Sequence, residues 1–303
     1  MDYQKWFFRH FAVPPETVAV LKGKNIDDRT LATLARVISR RANIKYRDEI
    51  GHKWVLAELK DGFSIWLYFG EAVSNWIMKG GYEPDTTKFI MSALKPGGTF
   101  VDIGANIGWY TMNAAKYYSQ HGGKVVSFEP QPEVGRRLKA SVEVNGFGDI
   151  VTVHNVALSN AAGTVEMIGT ETNLGWAQFK PNAAAQAIAK VEEMDHFSVT
   201  ACRLDDMNLS FESIDVLKID VEGAEVLCFQ GGAKFLEKHR PLMVSEIHNK
   251  KLAGVSGVTG PEYVSFMAKF GYRCEVFEKG ELVPYEPDKF SSRAYFNAVF
   301  RPE

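Results

Sequence analysis

One eight-residue turn constrains this chain more than any other feature. Val101-Asp102-Ile103-Gly104-Ala105-Asn106-Ile107-Gly108 joins a short apolar strand, Thr99 to Ile103, to a helical pattern running from Asn106 to Tyr118. Glycines at such a junction let the backbone turn tightly and let a ligand come close to it. The helix start adds unpaired N–H groups. The same rhythm then repeats. A strand from Lys124 to Glu129 precedes a helix from Pro132 to Val144, and further strands run from Ile150 to Val156, Ile214 to Asp220 and Leu242 to Ile247. A helix from Gly260 to Phe270 leads to closing strands at Tyr272 to Phe277 and Ala294 to Phe300. This alternation predicts an α/β fold, a doubly wound and mostly parallel seven-stranded sheet. The two closing strands are expected to form an antiparallel C-terminal hairpin at one edge.

The pattern begins near Lys95-Pro96-Gly97-Gly98, which divides the 303 residues into an N-terminal part, 1–95, and a sheet domain, 96–303. The N-terminal part reads as a small α+β extension. It has an amphipathic helix from Asp27 to Arg41, a hairpin around Asp61-Gly62 between Trp54–Leu59 and Phe63–Phe69, and a helix from Asp85 to Leu94. An insertion of the sheet domain, about 160–205, breaks the rhythm and reads as a substrate loop, with a strand pair starting at Gly163 to Ile168.

Composition excludes several classes. The chain is 46% hydrophobic and 24% charged, ordinary globular usage, and not that of a disordered or collagen-like protein. Lys and Arg number 35 against 37 Asp and Glu, so no nucleic-acid footprint is present. Cys202, Cys228 and Cys274 are sparse and form no CxxC pair, which argues against a disulfide framework or structural zinc. No run reaches the roughly 18 apolar residues of a membrane helix, and the first ten residues do not read as a signal peptide. A cytoplasmic protein is expected. Trp6, Phe7, Phe8 and Phe11 beside Lys5 and Arg9 are compatible with weak peripheral membrane contact, or with docking onto the domain or onto a second copy in a homo-oligomer.

The chemistry of the turn narrows its ligand. Glu129 ends the second strand, 21 residues after Gly108, where an acid can hydrogen-bond both hydroxyls of a ribose. A dinucleotide fingerprint reads GxGxxG, its second glycine admitting the pyrophosphate. Here Asn106 takes that place within Gly104-x-x-x-Gly108, and Asp102 directly before the turn would repel a pyrophosphate. A carboxylate there suits a ligand carrying an ammonium. The pattern favours S-adenosylmethionine over NAD, with an NAD-dependent oxidoreductase or a non-catalytic nucleotide-binding module as the alternatives.

At this point the sequence resembles the FkbM-type methyltransferases of the Rossmann-like class I methyltransferase fold. The resemblance rests on Asp102 to Thr111, Phe128-Glu129-Pro130, Asn155-Val156-Ala157-Leu158-Ser159 and Arg203-Leu204-Asp205-Asp206. It continues through Leu217-Lys218-Ile219-Asp220-Val221-Glu222-Gly223-Ala224-Glu225 and Ser245-Glu246-Ile247-His248, with Gly81-Tyr82-Glu83-Pro84 upstream. It implies cofactor contacts along the turn, at Asp102, Gly104, Ala105, Asn106, Gly108, Tyr110 and Thr111, with Glu129 and Pro130 at the ribose. Asn155 and Ala157 would flank the adenine, Asn155 standing where many relatives in the wider fold carry an acid. It also implies transfer to a hydroxyl of a sugar, glycoconjugate or natural product.

A hydroxyl acceptor must lose a proton, which calls for a base. Asp220 ends the fourth strand and Glu222 follows in a turn, while Glu246 and His248 share one face of the fifth strand. His248 is the first choice for the base, with Asp220 orienting it or touching the cofactor. A plain hydrogen-bonded histidine at a strand end is the alternative. Asp220, Glu222, Glu246 and His248 are also plausible ligands of a divalent metal, though their spacing does not specify a site. Tyr82 and Glu83, with Asn173 and Trp176 of the insertion, are candidate acceptor contacts. Residues 1–95 carry 15 Lys and Arg against 11 Asp and Glu, and the remainder 20 against 26. A basic extension over the site, with Arg40, Arg41, Lys45 and Arg47, would suit an anionic acceptor.

Overall fold

The computed structural model of the protein describes residues 42–47, 54–68, 71–170, 173–181, 194–209, 211 and 213–303. The helix expected at Asp27 to Arg41 and the aromatic N-terminus lie outside them.

Strands β1 (Ala42–Arg47), β2 (Trp54–Leu59) and β3 (Ser64–Tyr68) form an antiparallel sheet, the first of them not expected from the sequence. β2 and β3 are the expected hairpin. Helices α1 (Ala72–Lys79) and α2 (Pro84–Ala93) then lead into the main sheet. Glu71 caps α1, its carboxylate accepting from Val73 and Ser74 N–H at 2.8 Å each.

The main sheet is built from β4 (Thr99–Ile103), α3 (Trp109–His121), β5 (Lys124–Phe128), α4 (Pro132–Val144) and β6 (Val151–His154). After the insertion come β11 (Val216–Ile219), α5 (Glu225–Gln230), α6 (Ala233–His239), β12 (Leu242–His248), α7 (Asn249–Val255) and α8 (Gly260–Ala268). The chain closes with β13 (Tyr272–Glu278), β14 (Glu281–Pro284), α9 (Pro287–Phe290) and β15 (Tyr295–Pro302). Strand order is β6-β5-β4-β11-β12-β15-β13-β14, with β4, β5, β6, β11 and β12 parallel. The order reverses between β4 and β11, and at such a switch point the carboxyl ends of the strands open a crevice for ligand.

Two details differ from the sequence reading. The sheet has eight strands, because β14 pairs with β13. The last strand is not at the edge but sits between β12 and β13, antiparallel to both. The reason is burial: Phe296, Ala298, Val299 and Phe300 are all buried, so β15 needs neighbours on either side. The half-exposed β14, ending in Pro284, can tolerate the edge.

The described residues of the insertion form strands rather than a loop. β7 (Ala157–Leu158), β8 (Gly163–Thr170), β9 (Asn173–Phe179) and β10 (Asp195–Cys202) make a four-stranded sheet in the order β7-β10-β8-β9. Its own small core is Ala157, Met167, Val199 and Ala201. Among the described residues, no helix is long and apolar enough to cross a membrane.

Candidate active site

The turn after β4 is shaped by backbone crowding. Gly104 has φ +78, and a Cβ there would lie 1.9 Å from the Asp220 carbonyl oxygen. Gly108, with φ +94, begins α3, and its Cβ would lie 2.3 Å from Leu138 Cδ1 on α4. The first glycine thus admits the chain beyond β11 and the second admits a helix, so close packing of protein on protein explains both. Asn106, between them, is itself left-handed at φ +53.

An inner cavity of ≈ 110 Å³ lies at the carboxyl ends of β4, β5 and β11. Gly104, Ala105, Asn106, Tyr110, Glu129, Pro130 and Ala157 line it, as do Asp220, Glu222 and Glu246. Phe128, Val156, Leu158, Met167 and Phe179 give it an apolar side. The insertion therefore contributes to the inner cavity, where a substrate loop was expected. Asn173 and Trp176 fall on β9, and their side chains are outside the described residues.

Glu129 is buried, its oxygens accepting from Asn106 N–H at 2.8 Å and Gln131 N–H at 2.9 Å. Each carboxylate oxygen keeps a second lone pair for a ligand hydroxyl. Burial pushes this acid up to about 7, against the two N–H groups, which favour its ionised form. Asp102, Gly108, Thr111 and Asn155 stand behind the wall, outside the lining of the cavity. Thr111 Oγ1 donates to Asp102 Oδ2 at 2.6 Å, while the buried Asp102 Oδ1 has no hydrogen-bond partner. Asn155 Nδ2 donates to the Glu129 carbonyl at 2.5 Å, which pins the end of β5.

A buried lysine, missed in the sequence reading, sits at the centre. Lys218 on β11 pairs in register with Asp102, and its ammonium lies 3.3 Å from Asp220 Oδ2 and 5.4 Å from the Tyr110 ring centroid. Burial alone would lower its pKa, but Asp220, Glu83, Asp102 and Glu246 outweigh this and hold it above the usual lysine value. A lysine inside an otherwise apolar strand was the available signal.

A second, open groove of ≈ 720 Å³ adjoins the inner cavity. Val73, Tyr82, Glu222 and Glu246 line both. Glu83, His248 and Lys251 line the groove alone. The Tyr110 hydroxyl donates to Glu83 Oε2 at 2.5 Å, fixing the start of α2 against α3. Glu246 carries a carboxyl pushed up to about 9, chiefly by burial and then by Asp220. One oxygen each of Asp220, Glu222 and Glu246 lie within 4.8 Å of one another, a spacing open to a cation. Lys218 against Asp220 and Lys251 against Glu222 already balance much of that charge. His248 stands apart from this group. Its Nδ1 accepts from Lys251 N–H at 3.4 Å, capping α7, and burial lowers its pKa. A neutral ring that accepts at Nδ1 carries its proton on Nε2, so it faces the groove as a donor.

The residues fit S-adenosylmethionine. Glu129 matches a ribose, the Phe128, Met167 and Phe179 side matches an adenine, and the carboxylates beside Lys218 match a cationic amino-acid portion.

Comparison with known families agrees in kind. The profile of the methyltransferase FkbM domain matches residues 102–274. A methyltransferase FkbM from Methylobacillus flagellatus aligns at 13% identity and TM-score 0.45, over 75% of this chain and 52% of that one. The chain thus spans about half the length of that protein. A SAM-dependent O-methyltransferase from Thermotoga maritima aligns at 14% identity and TM-score 0.40, over 82% of this chain and 77% of that one. A TehB-like SAM-dependent methyltransferase from Corynebacterium glutamicum aligns at 13% and 0.42, over 76% and 93%. Among curated proteins no sequence matches.

Proposed function

Because the chain belongs to the FkbM methyltransferase family, we propose that it is an S-adenosylmethionine-dependent O-methyltransferase acting on a hydroxyl of a small-molecule or glycan acceptor. The observation that carries this reading is the meeting of two cavities at Tyr82, Glu222 and Glu246, a smaller inner one and a larger outer one. S-adenosylmethionine bound in the inner cavity supplies an electrophilic methyl carried on a sulfonium.

The protein's task is then alignment, which can be worth effective molarities of about 10⁵–10⁸ M. Glu129 holds the ribose and Met167 and Phe179 exclude water from the adenine side. The acceptor enters by the groove, where His248 Nε2–H orients it. Glu246 is placed to take the proton that the hydroxyl must lose. This role moves from His248 to Glu246 because the capping bond occupies the free lone pair of the imidazole. A positive charge in the inner cavity favours the ionised Glu246 that the step needs.

Calorimetry with S-adenosylmethionine, its demethylated product and NAD tests the cofactor. The product is expected to bind, and Glu129→Ala to abolish binding; tight NAD binding in its place would overturn the proposal. In a radiolabelled methyl-transfer screen over hydroxylated metabolites and glycans, Glu246→Gln should lose at least about a hundredfold in rate. His248→Ala should lose less.

A further inference from the structure

The outer groove has a composition of its own. Among the described residues three large apolar side chains are exposed, and two of them, Trp76 at 49% and Tyr295 at 60%, line this groove. Each is backed by another ring. Trp76 stacks on Tyr82 with centroids 5.8 Å apart and planes 20° from parallel. Tyr295 lies on His248, its cross-strand partner, at 6.0 Å and 16°. A backed ring is held in one orientation, with its other face left for a ligand.

Carboxyl groups dominate the polar side of the groove. Glu83, Asp85, Glu222 and Glu246 bring four carboxyl groups. Asn297 donates from Nδ2 to Thr86 Oγ1 at 3.1 Å, while its buried Oδ1 has no hydrogen-bond partner. The one lysine in the lining, Lys251, is paired with Glu222. Burial pushes the Glu246 carboxyl up to about 9, so without cofactor the negative charge of this lining rests on Glu83 and Asp85; an anion entering here meets it at close range, and a neutral ligand leaves it uncompensated. A protonated amine brings three donors and a positive charge, and ring faces attract cations.

We propose that the groove selects an acceptor carrying a protonated amine, seated by the faces of Trp76 and Tyr295 and the carboxylates of Glu83 and Asp85, with its hydroxyl presented at Glu246. This rests on reading the groove as the acceptor site. It reverses the expectation of an anionic acceptor drawn from the basic N-terminal composition. Of the four basic residues named for that expectation, Arg40 and Arg41 lie outside the described residues, and only the backbone of Lys45 and Arg47 is described.

Three probes of one ring shape and different charge test the proposal without cofactor: methyl glucosaminide, methyl glucoside and methyl glucuronide, titrated at pH 6.5 against tryptophan fluorescence. The amino form is expected to bind about tenfold tighter than the neutral one. That margin should shrink in 0.5 M salt and in Asp85→Asn, and Trp76→Phe should remove most of the fluorescence response. Equal or tighter binding of the glucoside or glucuronide, or no response to any probe at 50 mM, overturns it. Calorimetry on the same sample keeps the two readings apart. Loss of cofactor binding with the amine preference intact sinks the methyltransferase proposal alone, and the reverse result sinks only this one.

Discussion

Asp102 shows how much of this site is held by groups that are costly to bury. Its carboxyl is fully enclosed, with Thr111 on one oxygen and nothing on the other. Burial pushes it up to about 6, although Thr111 and Lys218 pull the other way. A folded value above the unfolded one, near 3.9, means that ionisation is penalised in the native state. The stability tied to the protonated acid is complete below about pH 4 and is lost as pH rises through 6. Asp102→Asn, which cannot ionise, should therefore gain on the wild type as pH climbs. At about 1.4 kcal/mol per unit over roughly two units, the gain approaches 3 kcal/mol at pH 8 and vanishes at pH 4. Urea midpoints of both proteins at pH 4 and pH 8 measure it. Parallel midpoints would show that the buried acid carries no such penalty.

At the scale of elements, the sequence was most legible where local pattern and tertiary role coincide. The turn from Asp102 to Gly108 and the strands on either side of it could be read because glycine, strand and helix signals fall within a few residues. The position of Asp220 followed from a strand end, and that of Glu246 from the two-residue alternation that puts it on one face with His248. What escaped was set by distant neighbours. Nothing local in Tyr295 to Pro302 says that β15 enters between two strands. Lys218 was passed over because a strand buried on both faces shows no alternation for it to break, so its one signal was a charged residue in an apolar run. The insertion misled for a similar reason: β7 to β10 pair with one another and lay Met167, Ala177 and Phe179 along the inner cavity. Phe179→Ala should accordingly weaken binding of the demethylated cofactor product about tenfold, a loss of roughly 1.5 kcal/mol of apolar contact. Phe197→Ala, on β10 of the same sheet but outside the cavity lining, should leave it unchanged in calorimetry. Equal effects of the two substitutions would mean that the sheet acts only through stability.

Across the whole molecule, the break in pattern near residue 96 is not a break in packing. Trp54, Leu56, Ile65 and Leu67 of the N-terminal sheet belong to the same buried cluster as Phe100, Val125, Leu138 and Val244. A second cluster, with Val101, Ile103, Leu217 and Ile247, involves alternate positions of the same strands. The N-terminal sheet is tied to α4 by polar contacts as well. Asn145 accepts from Ser64 N–H at 2.8 Å and donates to Ser64 O at 2.6 Å, and Trp66 N–H donates to Ser141 Oγ at 3.0 Å. The Arg137 guanidinium lies 5.2 Å from the Trp54 ring centroid and 4.8 Å from that of Trp66. Elements that share a core cannot melt separately without exposing one another's apolar surface, so described residues from β2 to β15 should unfold together. Far-UV circular dichroism and tryptophan fluorescence are expected to trace one coincident urea transition. Asn145→Ala leaves the Ser64 backbone groups unpaired and should cost about 1–3 kcal/mol, shifting both probes by the same amount. A fluorescence transition that moves alone, ahead of the dichroism, would show that the N-terminal sheet is a separate cooperative unit.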